Sequence, residues 1–373
     1  MSPLNERITM RVDVVDSDDR NVTYTIDGHP VSLASTEPFV RPAGDAEVAL
    51  GFLSALKARE NLLVDLPMSG GLRRGLPQLQ RIFGTWMDRP AVEISTESDQ
   101  AGLEPAAKLV GCFFSGGVDS FFTALRHRAE IDYLIFVHGF DISVDDEALS
   151  VEALHHAREA AASLGKVLIE VRTDLRRYSP IGDDWGMTHG SAMAFVAHSL
   201  STKLGKVYIP STYTYKDMFP WGSHPMTDPL WSGSVELVHD GADRTRMEKL
   251  AYLAAEPVTY RHLRVCWENR NGRFNCCECE KCTRTMIALR VLGALEKFTT
   301  FDRPLRLNRV RYGIIRDTAQ LTFTRQVLAQ VRAEGADPAL ANALRWRLRI
   351  GPRRQALRTN GYSLYKKLGK LVG

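Results

Sequence analysis

Cysteine is nearly absent from this 373-residue chain outside one short window: Cys112 stands alone, while Cys266, Cys276, Cys277, Cys279 and Cys282 share seventeen residues. That distribution excludes a disulfide-stapled scaffold, and in a reducing compartment it points to a metal. Also missing is any apolar run near the roughly 18 residues that span a bilayer. Met1 to Arg11 lacks the basic-then-apolar pattern of a secretion signal. The expectation is a cytoplasmic protein without a transmembrane segment. There is no internal repeat or low-complexity tract, and 44% hydrophobic with 25% charged residues excludes a disordered tail, a collagen-like repeat and a coiled-coil rod. The length suits two compact units better than one.

The net charge of +4 conceals an uneven division. From Phe301 to Gly373 there are 16 Lys or Arg against 4 Asp or Glu, a net of +12, which leaves the rest at −8. An acidic body carries a basic C-terminal segment.

Residues 7–15 and 21–34 alternate polar with Val, Ile and Tyr, and Asp27-Gly28 is a hairpin turn signal. Antiparallel strands are expected there, followed by a helix over 46–59, a strand over 62–66, a helix over 77–87 with Pro77 in its first turn, and a strand over 91–94. Residues 1–95 thus read as a small α+β domain and the polar run 96–108 as a linker. Gly70, Gly71 and Gly75 lack the Lys-Ser or Lys-Thr pair that would close a kinase-type phosphate loop. Beyond the linker, apolar runs at 109–114, 133–137, 167–171 and 207–210 alternate with helical patterns at 118–128, 145–164 and 191–204, which predicts an α/β fold with a doubly wound parallel sheet.

The stretch LVGCFFSGGVDSFFTAL, 109–125, is a buried strand, then Ser115, Gly116, Gly117, Val118, Asp119 and Ser120, then a helix. Glycines let backbone approach a phosphate, and the free N–H groups and positive end of a helix favour an anion. Ser115 and Ser120 add hydroxyl donors, and Asp119 is placed to reach a magnesium ion on the same phosphates. Downstream, residues 243–249 (DRTRMEK) open a basic helix. The window 266–282 contains Cys-x9-Cys-x2-Cys-x2-Cys, through Cys266, Cys276, Cys279 and Cys282. Four thiolates at such spacings close a tetrahedron around zinc, with an iron–sulfur cluster as the alternative. Cys277 is left over, as another ligand, a reactive thiol or a small hydrophobe in a turn.

The SGGVDS loop resembles the SGGxDS signature of the PP-loop ATP pyrophosphatases, which cleave ATP to AMP and pyrophosphate. Over about 109–295 the chain is further similar to the 7-cyano-7-deazaguanine synthase family, whose zinc loop has Gly where this chain has Cys277 and is followed by an Arg-bearing helix, here Arg284. The resemblance implies an adenine nucleotide alpha hydrolase-like (HUP-type) domain over 109–300 with ATP, Mg2+ and Zn2+. It implies catalytic roles for Ser115, Asp119, Ser120, Lys249 and Arg246. It places Val137, His138, Asp141, His189 and Gly190 with the loop residues around the nucleotide. Two features depart from that family: the residues before the loop and after 300 are additional, and its Pro-Gly-Arg-Asn segment stands here as Thr188-His189-Gly190-Ser191.

The acceptor is expected near 183–190 and 211–231, the second being rich in aromatics, His and Asp. His189 reads equally as a helix cap or a base, His224 and Asp228 as an acid/base pair or a surface pair, and Trp185, Trp221 and Trp231 as stacking rings or loop packing. His155 and His156 read as solvent-facing. The helical, basic segment 301–373 suits RNA or an anionic surface, and equally the acidic body of the same chain.

The resulting expectation is an ATP-dependent ligase that adenylates a carbonyl or carboxylate of a small-molecule or protein-borne acceptor for attack by nitrogen, with a homodimer allowed. The alternatives are a tRNA sulfurtransferase, which needs a reactive Cys277, and a non-catalytic nucleotide-binding partner protein.

Overall fold

The computed structural model describes residues 8–97, 109–316, 318–335 and 337–369. The chain forms two compact units, one from Met1–Leu253 with His262–Arg264, the other from Ala254–Arg261 with Val265–Gly373.

The first unit is built on a ten-stranded sheet. Its strands are β1 (Thr9–Ser17), β2 (Asn21–Ile26), β3 (His29–Ser35), β4 (Asn61–Val64), β5 (Ile94–Thr96), β6 (Leu109–Phe113), β7 (Tyr133–His138), β8 (Val167–Thr173), β9 (Leu204–Pro210) and β10 (Glu236–Asp240), in the order β10-β9-β6-β7-β8-β3-β2-β1-β4-β5. Helices α1 (Gly44–Ala58), α2 (Gly70–Met87), α3 (Val118–Arg126), α4 (Glu147–Leu164), α5 (Ser179–Gly182), α6 (Trp185–Ser199) and α7 (Arg246–Leu253) belong to the same unit, whereas α8 (Pro257–His262) belongs to the second except for His262. Strands β6 to β10 are parallel throughout, and β6 lies between β7 and β9. Strand order therefore reverses beside β6, and in such sheets ligands bind at the carboxyl ends of the strands at that reversal.

β10 is an edge strand whose Glu, His and Asp hide it from a search for apolar runs. The β2–β3 hairpin turns at Asp27 and Gly28, with φ of 49° and 79°, as the Asp-Gly signal predicts. β3 then pairs antiparallel with β8, Ser35 opposite Val171, so strands on both sides of 96–108 share one sheet. The expected boundary at 96–108, of which 98–108 lie outside the described residues, does not coincide with the division into units, which falls at 254–265. The reason is edge satisfaction: β8 finds its hydrogen-bond partner in the hairpin rather than in water.

Helix α2 starts at Gly70, earlier than expected, because Ser69 caps it by accepting from the Leu72 N–H at 3.2 Å. Pro77 therefore sits inside the helix rather than in its first turn. The buried faces of α1 and α2 join β1, β2, β4 and Trp231 in one core.

The second unit is helical: α9 (Glu280–Val291), α10 (Leu307–Arg311), α11 (Thr318–Glu334) and α12 (Pro338–Gly369), preceded by the cysteine loop. α12 packs on α10 and α11 through buried Leu340, Ala343 and Leu344. No helix among the described residues is long and apolar enough to cross a membrane.

Candidate functional site

The turn from β6 into α3 opens the site. Gly116 adopts φ of 72°, a left-handed conformation that costs a side-chain-bearing residue about 1–2 kcal/mol. Gly117 takes the N-cap position of α3 and, having no side chain, supplies no capping bond, the arrangement of an anion-binding helix start. Ser115 is exposed, and Ser120 is buried with its hydroxyl donating to the Gly117 carbonyl at 3.1 Å. The Arg264 N–H donates to the Gly116 carbonyl at 2.8 Å and fixes the loop from behind. α3 is anchored by Phe121, whose ring meets Phe114 edge-on at 4.9 Å.

Lys249 and Arg246 reach this loop from α7. The helix starts where it does because Thr245 and Glu248 form a reciprocal cap: Glu248 Oε2 accepts from the Thr245 N–H at 2.7 Å, and the Thr245 hydroxyl accepts from the Glu248 N–H at 3.3 Å. These bonds hold the Glu248 carboxyl below its ordinary pKa. The start brings residues 246 and 249 onto one face, three positions apart. Lys249 Nζ lies 3.0 Å from Asp119 Oδ1 and donates to the Ser211 carbonyl at 2.6 Å, while Arg246 Nη1 lies 3.2 Å from Asp119 Oδ2. The Lys249 side chain is only 2% exposed. Burying an ammonium costs several kcal/mol, so its position demands the carboxylate, the carbonyl and the Phe122 ring 5.7 Å away. Ser211 follows β9 and Asp119 follows β6, so the cluster stands at the strand-order reversal.

The other candidate residues lie on β7, on the loop after it and on α6. Val137 and His138 end β7, beside β6; the His138 ring is buried, its Nε2 2.9 Å from the Ser143 carbonyl, and Asp141 is exposed in the loop beyond. His189, in α6, has Nδ1 3.0 Å from the Trp185 carbonyl and accepts the Ser223 N–H on Nε2 at 3.2 Å. Burial lowers its pKa, so the neutral ring with its proton on Nδ1 satisfies both contacts. Gly190 meets the loop 211–231 directly: a Cβ there would stand 2.0 Å from the Gly222 carbonyl oxygen, so only glycine allows the approach.

That loop is anchored differently from the sequence expectation. Asp228 does not pair with the His224 ring. It accepts from Ser223 Oγ and contacts His239 Nδ1, both at 2.7 Å, and takes only the backbone N–H of His224, whose Nδ1 accepts instead from the Met226 N–H. Trp231 is fully buried against Phe52 and Phe83, hence core; Trp221 lies 5.2 Å from the His189 ring and Trp185 lies 4.9 Å from Phe140. His155 is exposed, but His156 is not simply solvent-facing, since its Nδ1 meets that of His262 at 3.1 Å.

In the second unit, Cys266, Cys276, Cys279 and Cys282 are buried with all four sulfurs within 4.8 Å of one another. The Cys266–Cys279 and Cys276–Cys282 sulfurs are 3.8 and 4.0 Å apart, close to the tetrahedral edge of about 3.8 Å implied by a Zn–S bond of about 2.3 Å. Backbone N–H groups of Cys279 and Cys282 donate to the sulfurs of Cys276 and Cys279 at 3.2 and 3.4 Å, as thiolate ligands require. The donor set fits a metal such as zinc.

Cys277 points away from that set. Its sulfur lies 3.5 Å from the Asn275 carbonyl and 3.7 Å from Asp302, and burial pushes its thiol up to about 11. Its φ of 57° explains why glycine suits the position. Cys277→Gly is expected to keep one bound metal per chain and to change unfolding stability by no more than about 1 kcal/mol. A metal assay reading well below one ion per chain would put Cys277 among the ligands.

Arg264, Ser211 and the Thr245–Glu248 cap escaped the sequence reading. The cap alone had a signal, the Thr-x-x-Glu spacing of Thr245 and Glu248. Compared with known proteins, the chain matches no family model, no curated protein and no solved structure.

Proposed function

We propose that this chain cleaves ATP to AMP and pyrophosphate, transferring the adenylyl group to a carbonyl or carboxylate oxygen of an acceptor that a nitrogen nucleophile then attacks. The observation that carries this reading is the convergence of buried Lys249 and of Arg246 on Asp119, beside an uncapped helix N-terminus at the strand-order reversal. Lys249 and Arg246 bring positive charge beside the 116–120 turn, which suits a polyphosphate leaving group.

In this reading the acceptor oxygen attacks the α-phosphorus, the bond to the bridging oxygen breaks, and pyrophosphate leaves onto the N–H groups of the 116–120 turn and the Lys249 and Arg246 side chains. The nucleophile then adds to the acceptor carbon, AMP departs with the bridging oxygen, and the nitrogen loses its proton. Asp119 would hold a magnesium ion, whose charge would neutralise the phosphates. Lys249 must exchange its Asp119 contact for a phosphate oxygen while keeping the Ser211 carbonyl. The loop 211–231, clamped on α6 through Gly190 and Gly222, supplies the acceptor side. Zinc on the four cysteines serves structure, since four protein sulfurs leave no open position. Cys277 is buried against the Asn275 carbonyl and Asp302, which favours this reading over sulfur transfer, since that chemistry needs an accessible thiolate.

The test is product identity. Purified protein incubated with ATP and fractionated host extract should form AMP and pyrophosphate in equal amounts, with a mass increase of one adenylyl or one nitrogen-bearing group on a single extract component. Formation of ADP and orthophosphate would overturn the assignment.

A further inference from the structure

In the C-terminal unit the arginines outnumber the acids that pair with them. A cavity of about 570 Å3 is lined by Arg270, Arg309, Arg316, Arg347 and Arg354, and by three glutamates. Each glutamate already holds an arginine: Glu278 takes Arg303 and Arg309 at 3.4 and 2.9 Å, Glu268 takes Arg270, and Glu280 faces Arg284 at 3.5 Å. Among the described residues no carboxylate pairs with Arg316 or Arg354.

The geometry holds two of the cavity's guanidiniums, those of Arg347 and Arg354, in place. Arg347 and Arg354 are seven positions apart and so share one face of α12. Arg354 Nη1 donates to the Tyr312 carbonyl at 2.6 Å, and Arg347 is 4% exposed with Nη2 3.5 Å from the Ile314 carbonyl. The segment carrying those carbonyls lies so close to α12 that a Cβ on Gly351 would stand 3.0 Å from the Gly313 carbonyl oxygen. Tyr312, 51% exposed, lines the same cavity and offers an aromatic face beside the charges.

We infer that this cavity binds the phosphodiester backbone of a single-stranded nucleic acid, with Arg316 and Arg354 on phosphates and Tyr312 stacking a base. A fixed guanidinium fork matches phosphate oxygens, and aromatic rings among cations are how single strands are held without sequence reading. A lone phosphate needs one or two such groups, whereas the segment from Phe301 carries a net of +12, which suits a polymer of charge. A bilayer fits poorly, because its flat anionic surface does not enter a concave wall bearing Glu268, Glu278 and Glu280. The inference stands apart from the adenylation chemistry.

The experiment uses the full chain with its metal and reads fluorescence anisotropy of labelled rU20 and dT20 across 50–200 mM NaCl. Affinity for one or both should fall with salt, and Arg316→Ala with Arg354→Ala should weaken it at least tenfold at low salt. Two lost phosphate contacts should also flatten the log–log salt slope by about 1.4. Arg345→Ala with Arg349→Ala, on the other side of α12, is the control and should change affinity less than threefold; a thermal melt and metal content confirm that both variants fold. The proposal is overturned if the Arg316/Arg354 variant binds like the parent, or if the loss follows the control pair. It fails equally if phosphatidylglycerol vesicles bind and neither oligonucleotide does, or if millimolar orthophosphate abolishes binding at constant ionic strength.

Discussion

Lys249→Ala is expected to lower ATP-dependent pyrophosphate release by about a hundredfold or more, the loss seen when one preorganised donor to a developing anion is removed. The expectation rests on position: the ammonium is buried, its Nζ bonds the Ser211 carbonyl, and its second contact is a carboxylate that a phosphate can replace. Arg246, with 16% of its side chain exposed, works in a wetter place, so Arg246→Ala should cost less, about tenfold. Because the alanine also leaves a cavity, Lys249→Met, which keeps the stem, is the companion variant. Lys249→Met should melt nearer the parent than Lys249→Ala does, while both lose turnover. Turnover retained in Lys249→Met would remove the lysine from the chemistry and leave it a packing role.

Cys279→Ser should have the larger effect on stability. Structural zinc contributes on the order of 10–16 kcal/mol in small zinc domains, as much as or more than the whole stability of a typical domain. Cys279 also caps α9, its sulfur accepting the Cys282 N–H, so its replacement weakens a ligand and a helix start together. The variant, or the parent treated with a strong chelator, should lose its metal and become sensitive to proteolysis within 265–316. Full protease resistance after complete metal removal would show that the four thiols stabilise the unit without an ion.

Groupings that are local in the chain were legible in the sequence, and those that depend on distant partners were not. The SGGVDS turn and the four-cysteine spacing are runs of neighbouring residues, and both form compact groups in the fold. Trp231 and the Asp228–His239 contact could not be read that way, since their partners lie on other elements. β10 escaped because a polar edge strand lacks the apolar run that marks a buried one. The link between β3 and β8 was invisible for a further reason: an antiparallel pair between residues 33–35 and 171–173 leaves no local periodicity.

That pairing decides how the protein can be divided. The Ser32 N–H donates to Asp174 Oδ1 at 2.8 Å, the Thr36 N–H to the Glu170 carbonyl at 3.0 Å, and the Glu170 N–H to the Thr36 hydroxyl at 3.1 Å. A chain begun at residue 109 would strip these partners from β8 and present Ile169 and Val171 on an open strand edge, a template for intermolecular pairing. The N-terminal hairpin is thus the molecule's protection against its own sheet, and recombination that shuffles the SGGVDS loop and its strands into other proteins must carry the hairpin along or evolve a substitute for it.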